Sequence, residues 1–293
     1  MISRLPSPPL RPFVRRVWVS DEPAAPQAGR RERVLPTGMA HVVFRLTEHP
    51  LRLFDGVDDR CGRIVSRAVV GGPRAAHYVR DVSEPTRSVG AQLQPGAVEL
   101  LLGAPADELA GRHVPLEDLW GRPAIEARDR LLEARRPEEQ LACFEALLAA
   151  RLPRVRGIHP AVAQALARFD GTDDVGRVAR ESGYSHRGFI ALFRRAVGLG
   201  PKRYSRMLRF QRALAARQAD PDATWVHVAL AAGYSDQPHF TRDFRELTGL
   251  SPGEYRSLAP AAALHVPIVE VKNVQDAPRP RSYDRSRKKE DRP

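Results

Sequence analysis

The sequence predicts an α+β protein with a mixed β/α N-terminal part followed by an all-α C-terminal part. Two observations carry this prediction. The first is a change in the spacing of apolar residues near Pro95 and Gly96, from the alternation of strands to the three- and four-residue spacing of helices. The second is a short pattern that occurs twice in the C-terminal half, about 50 residues apart.

The N-terminal part, residues 1–155, contains short β-branched and apolar runs bounded by Gly, Pro or Asp, which is typical of strands. We predict strands within 33–46 and at 51–55, 63–71, 76–81 and 88–94. Helical spacing of apolar residues predicts helices at 97–102, from 105 onward, at 125–133 and at 138–150. Segment 151–159 combines Pro, Gly and charge with little periodicity, so we place a domain boundary there.

The repeated pattern predicts two helix-turn-helix units. Each copy has a Gly-Tyr-Ser turn, which begins at Gly183 in one and at Gly233 in the other. A phenylalanine follows in each, at Phe193 and at Phe244. Glycine tolerates the positive φ that a tight turn between two helices requires. We expect the phenylalanines to face inward and to belong to the core.

The two units extend over about residues 172–198 and 222–249. Ser185 and Ser235 directly follow the Gly-Tyr dipeptides, where a hydroxyl can accept a hydrogen bond from the first turn of the next helix. We therefore predict that these serines cap the second helix of each unit. The outward residues near the start of that helix are the candidates for contacts with base edges.

Positive charge accumulates between the two units. The chain has a formal net charge of +12, and residues 187–217 contain nine Arg or Lys and no Asp or Glu. A linking helix over about residues 201–217 would span roughly 24 Å. That length is compatible with two recognition helices about 34 Å apart, which is one turn of DNA. An excess of positive charge favours nucleic acid as the partner.

Residues 158–258 resemble the DNA-binding domain of the AraC/XylS family. The resemblance rests on both Gly-Tyr-Ser turns, the linking helix and the closing Gly-Leu-Ser-Pro-Gly-Glu-Tyr-Arg segment at 249–256. It implies a transcription regulator, often an activator, that contacts two successive major grooves of double-stranded DNA as a monomer. It also allows contacts with RNA polymerase, with a small-molecule effector and with a second copy of the chain as a homodimer.

The resemblance also assigns candidate contacts by position. Base contacts fall on Arg187, Ile190 and Ala191 in the first unit and on Gln237, Pro238, His239, Thr241 and Arg242 in the second. Phosphate contacts are predicted for Ser185, Arg194, Lys202, Arg203, Arg206 and Ser235. Ile190 and Ala191 replace residues that are commonly polar or basic in the family, and they can touch thymine methyl groups but cannot form bidentate hydrogen bonds. We therefore expect the second unit to carry more of the hydrogen-bonded readout.

Residues 3–150 resemble, more loosely, an N-terminal domain of generally unassigned function that is fused to such regulators. The matching segments are 8–18, 34–44 and 92–109. Analogy with the superfamily implies a cupin-like β-structure with trailing helices that serves effector binding or dimerisation. Trp18, His41 and Arg45 either line a pocket or belong to core and surface, and the sequence leaves both open. Residues 259–293 are polar and basic at their end, which predicts a disordered tail.

The sequence predicts neither an enzyme nor a metal protein. It contains no P-loop and no Gly-Xaa-Ser-Xaa-Gly pattern, and the N-terminal histidines lack paired spacing, so we expect no cofactor and no metal. It contains no long apolar run and no secretory segment, so we expect no membrane partner and a cytoplasmic location. Two alternatives stay open: an enzymatic or ligand-modifying N-terminal domain fused to the DNA-binding part, and a constitutive, ligand-independent DNA-binding protein.

Overall fold

Two antiparallel sheets form the N-terminal part of the chain in the computed structural model, which describes residues 1–23, 31–152, 154, 157–169, 175–258, 260 and 262–268. The first sheet contains, in spatial order, β1 (Ile2–Arg4), β2 (Val14–Glu22), β9 (Thr86–Leu93), β4 (His41–Arg45), β7 (Ala68–Gly71) and β10 (His113–Pro115). The second contains β11 (His265–Pro267), β3 (Arg31–Val34), β8 (Tyr78–Asp81), β5 (Arg52–Phe54) and β6 (Arg63–Ile64). This two-sheet arrangement confirms the predicted α+β class and fits a cupin-like fold.

Helices cover one face of the first sheet. They are α1 (Val98–Leu102), α2 (Ala106–Leu109), α3 (Glu117–Trp120), α4 (Arg122–Glu133) and α5 (Pro137–Ala149). Val42 and Phe44 of β4 are fully buried in the core that these helices share with the sheet, where the Phe44 ring lies 5.8 Å from that of Phe144. His41 and Arg45 alternate with them along the strand and therefore point to the opposite face, toward the second sheet.

Strand β2 is the longest strand among the described residues, and the sequence pattern does not predict it. The reason is a β-bulge between Val14 and Arg16 in its pairing with β9. The bulge shifts the alternation, so that Val14, Val17 and Val19 are the buried residues instead of a strict every-second series. Strands β1 and β10, three residues each, were also not predicted.

Seven helices follow within the described part of the C-terminal half. They are α6 (Pro160–Arg168), α7 (Val175–Glu181), α8 (His186–Val197), α9 (Pro201–Ala219), α10 (Trp225–Ala231), α11 (Gln237–Thr248) and α12 (Pro252–Leu258). Helices α7 and α8 form the first helix-turn-helix unit, α10 and α11 form the second, and α9 links them. None of the described helices combines the length and the apolar character that a membrane crossing needs.

Each unit has its own aromatic core, as the repeat predicts. Phe193 and Phe244 are both fully buried, and each belongs to a separate hydrophobic cluster. The ring of Phe193 lies 5.6 Å from that of Tyr204, and the ring of Phe244 lies 5.6 Å from that of Phe210. Tyr204 and Phe210 both belong to α9, so the linking helix contributes to both cores.

The predicted disordered tail is wrong in its first part. Within 259–293, residues 262–268 return to the N-terminal domain, where β11 pairs antiparallel with β3. Two contacts hold this segment in place: Val266 is fully buried, and His265 Nδ1 lies 2.7 Å from Glu32 Oε1. The polar and basic composition that predicts disorder is concentrated after this strand. Residues 269–293 lie outside the described residues, as do 170–174 at the predicted start of the first unit.

The segment Pro73–His77, which connects β7 to β8, lies between the two helix-turn-helix units. Its central residue, Ala75, packs against the hydrophobic clusters of both units. Pro73 contacts the end of α8, where a Cβ at Gly198 would lie 2.8 Å from Pro73 Cγ. The backbone N–H of His77 donates a hydrogen bond of 2.8 Å to the carbonyl of Leu247 near the end of α11. One N-terminal loop therefore touches the C-terminal ends of both recognition helices.

Candidate nucleic-acid interface and interior cavity

The first unit has the predicted turn and cap. Gly183 adopts a φ of +76° between α7 and α8. The hydroxyl of Ser185 accepts a hydrogen bond of 3.1 Å from the backbone N–H of Gly188, so Ser185 is the N-cap of α8. The helix begins at His186, and its N-terminal turn is exposed to solvent.

The predicted cap of the second unit is wrong. Asp236, not Ser235, caps α11, because its carboxylate accepts a hydrogen bond of 2.7 Å from the backbone N–H of His239. The second copy has one extra residue between its Gly-Tyr-Ser turn and the helix, which explains why the repeat period grows from 50 at the turn to 51 at the phenylalanine. Asp236 therefore corresponds to Ser185, and Gln237 corresponds to His186.

Four predicted residues share the outer side of α8. Arg187, Ala191 and Arg194 are exposed, and Ile190 is half-buried beside them. Their spacing of three and four residues puts them on one face of the helix. Arg187 is the only base-contact candidate of this set that can donate two hydrogen bonds to one base.

The outer side of α11 carries more hydrogen-bonding side chains than the outer side of α8. Gln237, Pro238, Thr241 and Arg242 line one shallow concave surface together with Arg245. The sequence analysis missed Arg245, although its spacing from Thr241 and Arg242 puts it on the same face. Once the extra residue is allowed for, Arg245 corresponds to Arg194 of the first unit.

His239 does not lie with the other predicted base contacts. Its ring packs edge-on against Tyr234, with 5.3 Å between the ring centroids. Its Nδ1 lies 3.3 Å from the hydroxyl of Ser235, and its Nε2 lies 3.8 Å from Asp243 Oδ2. The ring therefore contacts the turn before α11 and Asp243 of the same helix, and it does not line the concave surface.

Arg206, which the sequence assigns to a phosphate contact, is engaged within the protein. Its guanidinium forms an ion pair with the buried carboxylate of Asp243, at 3.0 Å, and a second ion pair with Glu246. Both partners belong to α11, so Arg206 joins the linking helix to the second recognition helix. The sequence shows only an arginine on a basic helix, and the helix rotation that turns it inward depends on tertiary packing. Lys202 and Arg203 near the start of the same helix are exposed.

A cavity of about 590 Å³ lies between the two sheets. Trp18, His41 and Arg45 all line it, which resolves the alternative that the sequence leaves open in favour of a pocket. The linking helix α9 closes one side through Gln211 and Leu214, and the segment before β11 contributes Leu264. Gln211 is held there by a hydrogen bond of 2.7 Å from its Nε2 to the carbonyl of Pro36.

Two histidines of the cavity are held in the neutral form. Burial, together with the charges of Arg16 and Arg74, lowers the pKa of His41 to about 3. Burial and the charge of Arg74 lower the pKa of His113 to about 2. Because Arg74 Nη2 donates a hydrogen bond of 2.9 Å to His113 Nδ1, the proton of this neutral ring is on Nε2.

Comparison with known proteins agrees with this geometry. Residues 162–257 match the sequence model of a family described as "Helix-turn-helix domain", which is of the AraC type. Residues 3–115 match a family described as "Domain of unknown function (DUF6597)". No curated protein matches the sequence closely enough to count as a relative.

Several solved structures are similar to the chain. An AraC-type transcriptional regulator from Chromobacterium violaceum is 26% identical over 35% of this chain and 94% of its own, with a TM-score of 0.31. A probable AraC family regulator from Rhodopseudomonas palustris CGA009 is 26% identical over 34% of this chain and 96% of its own, with a TM-score of 0.30. ToxT from Vibrio cholerae, solved with a bound unsaturated fatty acid, is 10% identical over 82% of this chain and 94% of its own, with a TM-score of 0.44.

The two family matches correspond to the two parts of the fold. The DUF6597 match covers the strands of both sheets except β11, and the helix-turn-helix match begins within α6 and ends within α12. The chain therefore has a C-terminal helix-turn-helix domain of the AraC type, which indicates a DNA-binding transcription regulator, and this domain follows an N-terminal domain that matches the DUF6597 family.

Proposed function

We propose that this regulator recognises a specific DNA sequence through α8 and α11, and that a small molecule in the interior cavity controls its DNA binding. The observation that carries this proposal is the double role of α9. This helix joins the two helix-turn-helix units, and its residues Gln211 and Leu214 also close the cavity. A molecule that fills the cavity would therefore contact the element that spaces the two recognition helices.

The two recognition helices differ in what they can recognise. On α11, Gln237 and Arg242 can each form two hydrogen bonds with one base, to adenine and to guanine respectively. On α8, only Arg187 can do so, while Ile190 and Ala191 offer apolar contact to thymine methyl groups. We therefore propose that α11 supplies most of the hydrogen-bonded specificity and that the DNA site of one chain is not palindromic.

Phosphate contacts would position these helices without reading sequence. Ser185, Arg194, Lys202, Arg203 and Ser235 remain in this proposed set because all of them are exposed. Arg206 is removed from it, and exposed Arg245 is added as the counterpart of Arg194. Binding of RNA polymerase, homodimer formation and the sign of regulation stay predictions from the family resemblance.

The readout is tested by comparing Arg242→Ala with Lys202→Ala on a DNA site selected from random sequences. We expect Arg242→Ala to weaken binding to the selected site by about 1–3 kcal/mol and to weaken binding to random DNA much less. Lys202→Ala should weaken both to a similar extent. Equal losses on the two DNAs for Arg242→Ala would contradict the assignment of this residue to a base.

The effector role has a structural route to the DNA-binding surface. Arg74 and Tyr78 line the cavity. The segment Pro73–His77, which contains Arg74 and ends next to Tyr78, touches the ends of α8 and α11. Ligand contacts at these residues would therefore bias the spacing of the two units. Allosteric control requires that the ligand bind the two arrangements with different affinity.

A screen of the full-length protein tests this route. Compounds that raise the melting temperature by binding the native state should also change the Kd for the selected DNA site. Compounds that stabilise the protein without any change in DNA affinity would contradict the coupling. The same result would favour the alternative of a constitutive DNA-binding protein.

A further inference from the structure

Two arginines converge on the interior cavity without a carboxylate partner. Arg16, on β2, lies with its guanidinium carbon 5.7 Å from the centre of the Trp18 ring, and its Nε is buried without a hydrogen-bond partner among the described residues. Arg74, directly after β7, lies with its guanidinium carbon 4.5 Å from the centre of the Tyr78 ring. Within the described ranges, neither guanidinium forms an ion pair.

The remaining lining arginines, Arg45 and Arg80, are engaged by contacts within the protein, Arg80 by carboxylates and Arg45 by two neutral acceptors. Among the described lining residues there are four arginines and one glutamate, Glu22. Arg80 forms ion pairs with two glutamates: its Nη2 lies 3.0 Å from Glu22 Oε2, and its Nε lies 2.5 Å from Glu32 Oε1. Arg45 donates hydrogen bonds of 2.8 Å to the carbonyl of His49 and to the hydroxyl of Thr86.

Arg74 Nη2 already donates to the carbonyl of Arg112 at 3.0 Å and to His113 Nδ1 at 2.9 Å. The guanidinium of Arg16 and the other two nitrogens of the Arg74 guanidinium are therefore the cationic donors left for a ligand among the described residues. Both charges act on His41, which lies on the same wall and stays neutral because its pKa is lowered to about 3. Because His41 and His113 are neutral, they add no positive charge to the cavity, and they carry no negative charge that would balance the arginines. An unpaired charge that is partly removed from water costs free energy, and an oxyanion bound between the two guanidiniums would offset that cost through charge-assisted hydrogen bonds.

We propose that the cavity binds a small organic anion, with its carboxylate or phosphate at Arg16 and Arg74 and its apolar body against Trp18 and Tyr78. This inference rests on the proposed function, because it assumes that the cavity is the effector site. A volume of about 590 Å³ lies within the range of roughly 300–1,000 Å³ that small-molecule sites occupy. The aromatic rings, Leu35 and Leu214 give the apolar surface, and the arginines give the orientation.

The test uses pairs of probes that differ in charge but little in shape. Indole-3-acetate is compared with indole-3-acetamide, and 1-naphthyl phosphate is compared with 1-naphthol. Binding to the full-length protein is followed by the melting temperature and by isothermal titration calorimetry, because the indole and naphthyl probes are themselves fluorescent and would mask a tryptophan signal. We expect at least one anion to bind at least tenfold more tightly than its neutral counterpart. The two pairs show whether the site takes a carboxylate or a phosphate.

Two neighbouring arginines provide the matched variants. Arg16 lines the cavity, whereas Arg15, the preceding residue of β2, is exposed and does not line it. Arg16→Gln should weaken binding of the anion at least tenfold, and Arg15→Gln should leave it unchanged. Arg16→Lys, which keeps the charge, should retain part of the affinity and shows that a loss in Arg16→Gln is not a failure to fold.

The outcomes separate this inference from the proposed function. If the neutral probes bind as tightly as the anions and change DNA affinity, the cavity is an effector site but the anionic ligand class is wrong. If neither kind of probe gives a calorimetric binding signal or changes the melting temperature while the protein still binds its selected DNA, both the anionic ligand and the effector role are contradicted. If Arg15→Gln and Arg16→Gln weaken binding equally, the site of the anion is wrong.

Discussion

His77 of the N-terminal domain is in direct contact with Gly249 at the end of the second recognition helix. The backbone N–H of His77 donates a hydrogen bond of 2.8 Å to the carbonyl of Leu247. A Cβ at Gly249 would lie 2.5 Å from Cε1 of the His77 imidazole. The N-terminal domain therefore binds the C-terminal end of α11, opposite to the end that carries the candidate base contacts.

This contact has a counterpart on the first recognition helix. Gly198, which ends α8, faces Pro73 at the other end of the same N-terminal segment. Ala75, midway along the segment, packs on both helix-turn-helix cores. The segment Pro73–His77 is thus a spacer between the two units. Its position gives the N-terminal domain a way to influence how α8 and α11 are spaced on DNA.

Gly249→Ala should destabilise the protein through this contact. Gly249 has a φ of +71°, and an added methyl group would overlap the His77 ring. We expect a loss of roughly 1–2 kcal/mol from the left-handed backbone and of roughly 1–3 kcal/mol from the overlap. The free energy of unfolding from urea denaturation measures the sum.

Gly183→Ala is the matched control. Gly183 has a similar φ of +76°, but a Cβ there would have no neighbour within 4 Å. Its substitution should therefore cost only the backbone part. Equal losses for the two variants would mean that the contact between His77 and Gly249 does not form in solution.

Arg206→Ala should act on stability and leave the salt dependence of DNA binding unchanged. The substitution leaves the buried carboxylate of Asp243 without its cation, which we expect to cost about 1–3 kcal/mol. Because Arg206 is not a phosphate contact in this account, the slope of log Kd against log salt concentration should stay the same. Both quantities are measured on the full-length protein.

Lys202→Ala should behave in the opposite way. Lys202 is exposed one turn earlier on α9, so its loss should change stability by no more than about 0.5 kcal/mol. The salt slope should fall by about 0.9, the amount expected for one phosphate contact. If Arg206→Ala lowered the slope in this manner without loss of stability, its original assignment to phosphate would be correct.

The contact between Glu32 and His265 should make the attachment of β11 to β3 sensitive to acid. Burial opposes ionisation of this carboxyl, but the hydrogen bond with His265 and the charge of Arg80 lower its pKa from 4.5 to about 2. Since the folded pKa is the lower one, Glu32 stabilises the fold fully above about pH 4.5, and its contribution is lost as the pH falls toward 2. The loss amounts to about 3 kcal/mol.

Glu32→Gln should remove this contribution from the pH dependence of the free energy of unfolding. The variant should therefore be less stable than the original protein at neutral pH, with a difference that shrinks as the pH falls below 4.5. Glu48→Gln, at an exposed carboxylate, is the control. Its free energy of unfolding should depend on pH in the same way as that of the original protein. A difference between Glu32→Gln and the original protein that does not change with pH would contradict the role of this ion pair.

The scaffold of the helix-turn-helix units could be predicted from the sequence because it repeats. Phe193 and Phe244 are buried in equivalent places, and Gly183 and Gly233 both adopt positive φ. Local chemistry was sufficient there, since a turn needs glycine and a core needs an aromatic group at a fixed spacing.

Other features depend on contacts that no local pattern records. The inward turn of Arg206 follows from how α9 packs on α11, and the return of β11 follows from pairing with a strand more than 200 residues earlier in the chain. The cap at Asp236 depends on one extra residue, which the spacing of the repeats shows but which an alignment on the turn alone conceals. Arg16 and Trp18 share one side of β2 by simple alternation, but the bulge before Arg16 sets which side of the strand this is relative to Val14.

Selection of binding sites from random DNA with the full-length protein tests the central claim most directly. We predict a site with two unlike blocks whose centres lie about 10–10.5 base pairs apart, with more sequence information in the block under α11. When the selection is repeated with Arg242→Ala, the base preference should be lost at positions in that block alone. A palindromic site, a single block, or a site whose specificity lies mainly under α8 would contradict the account.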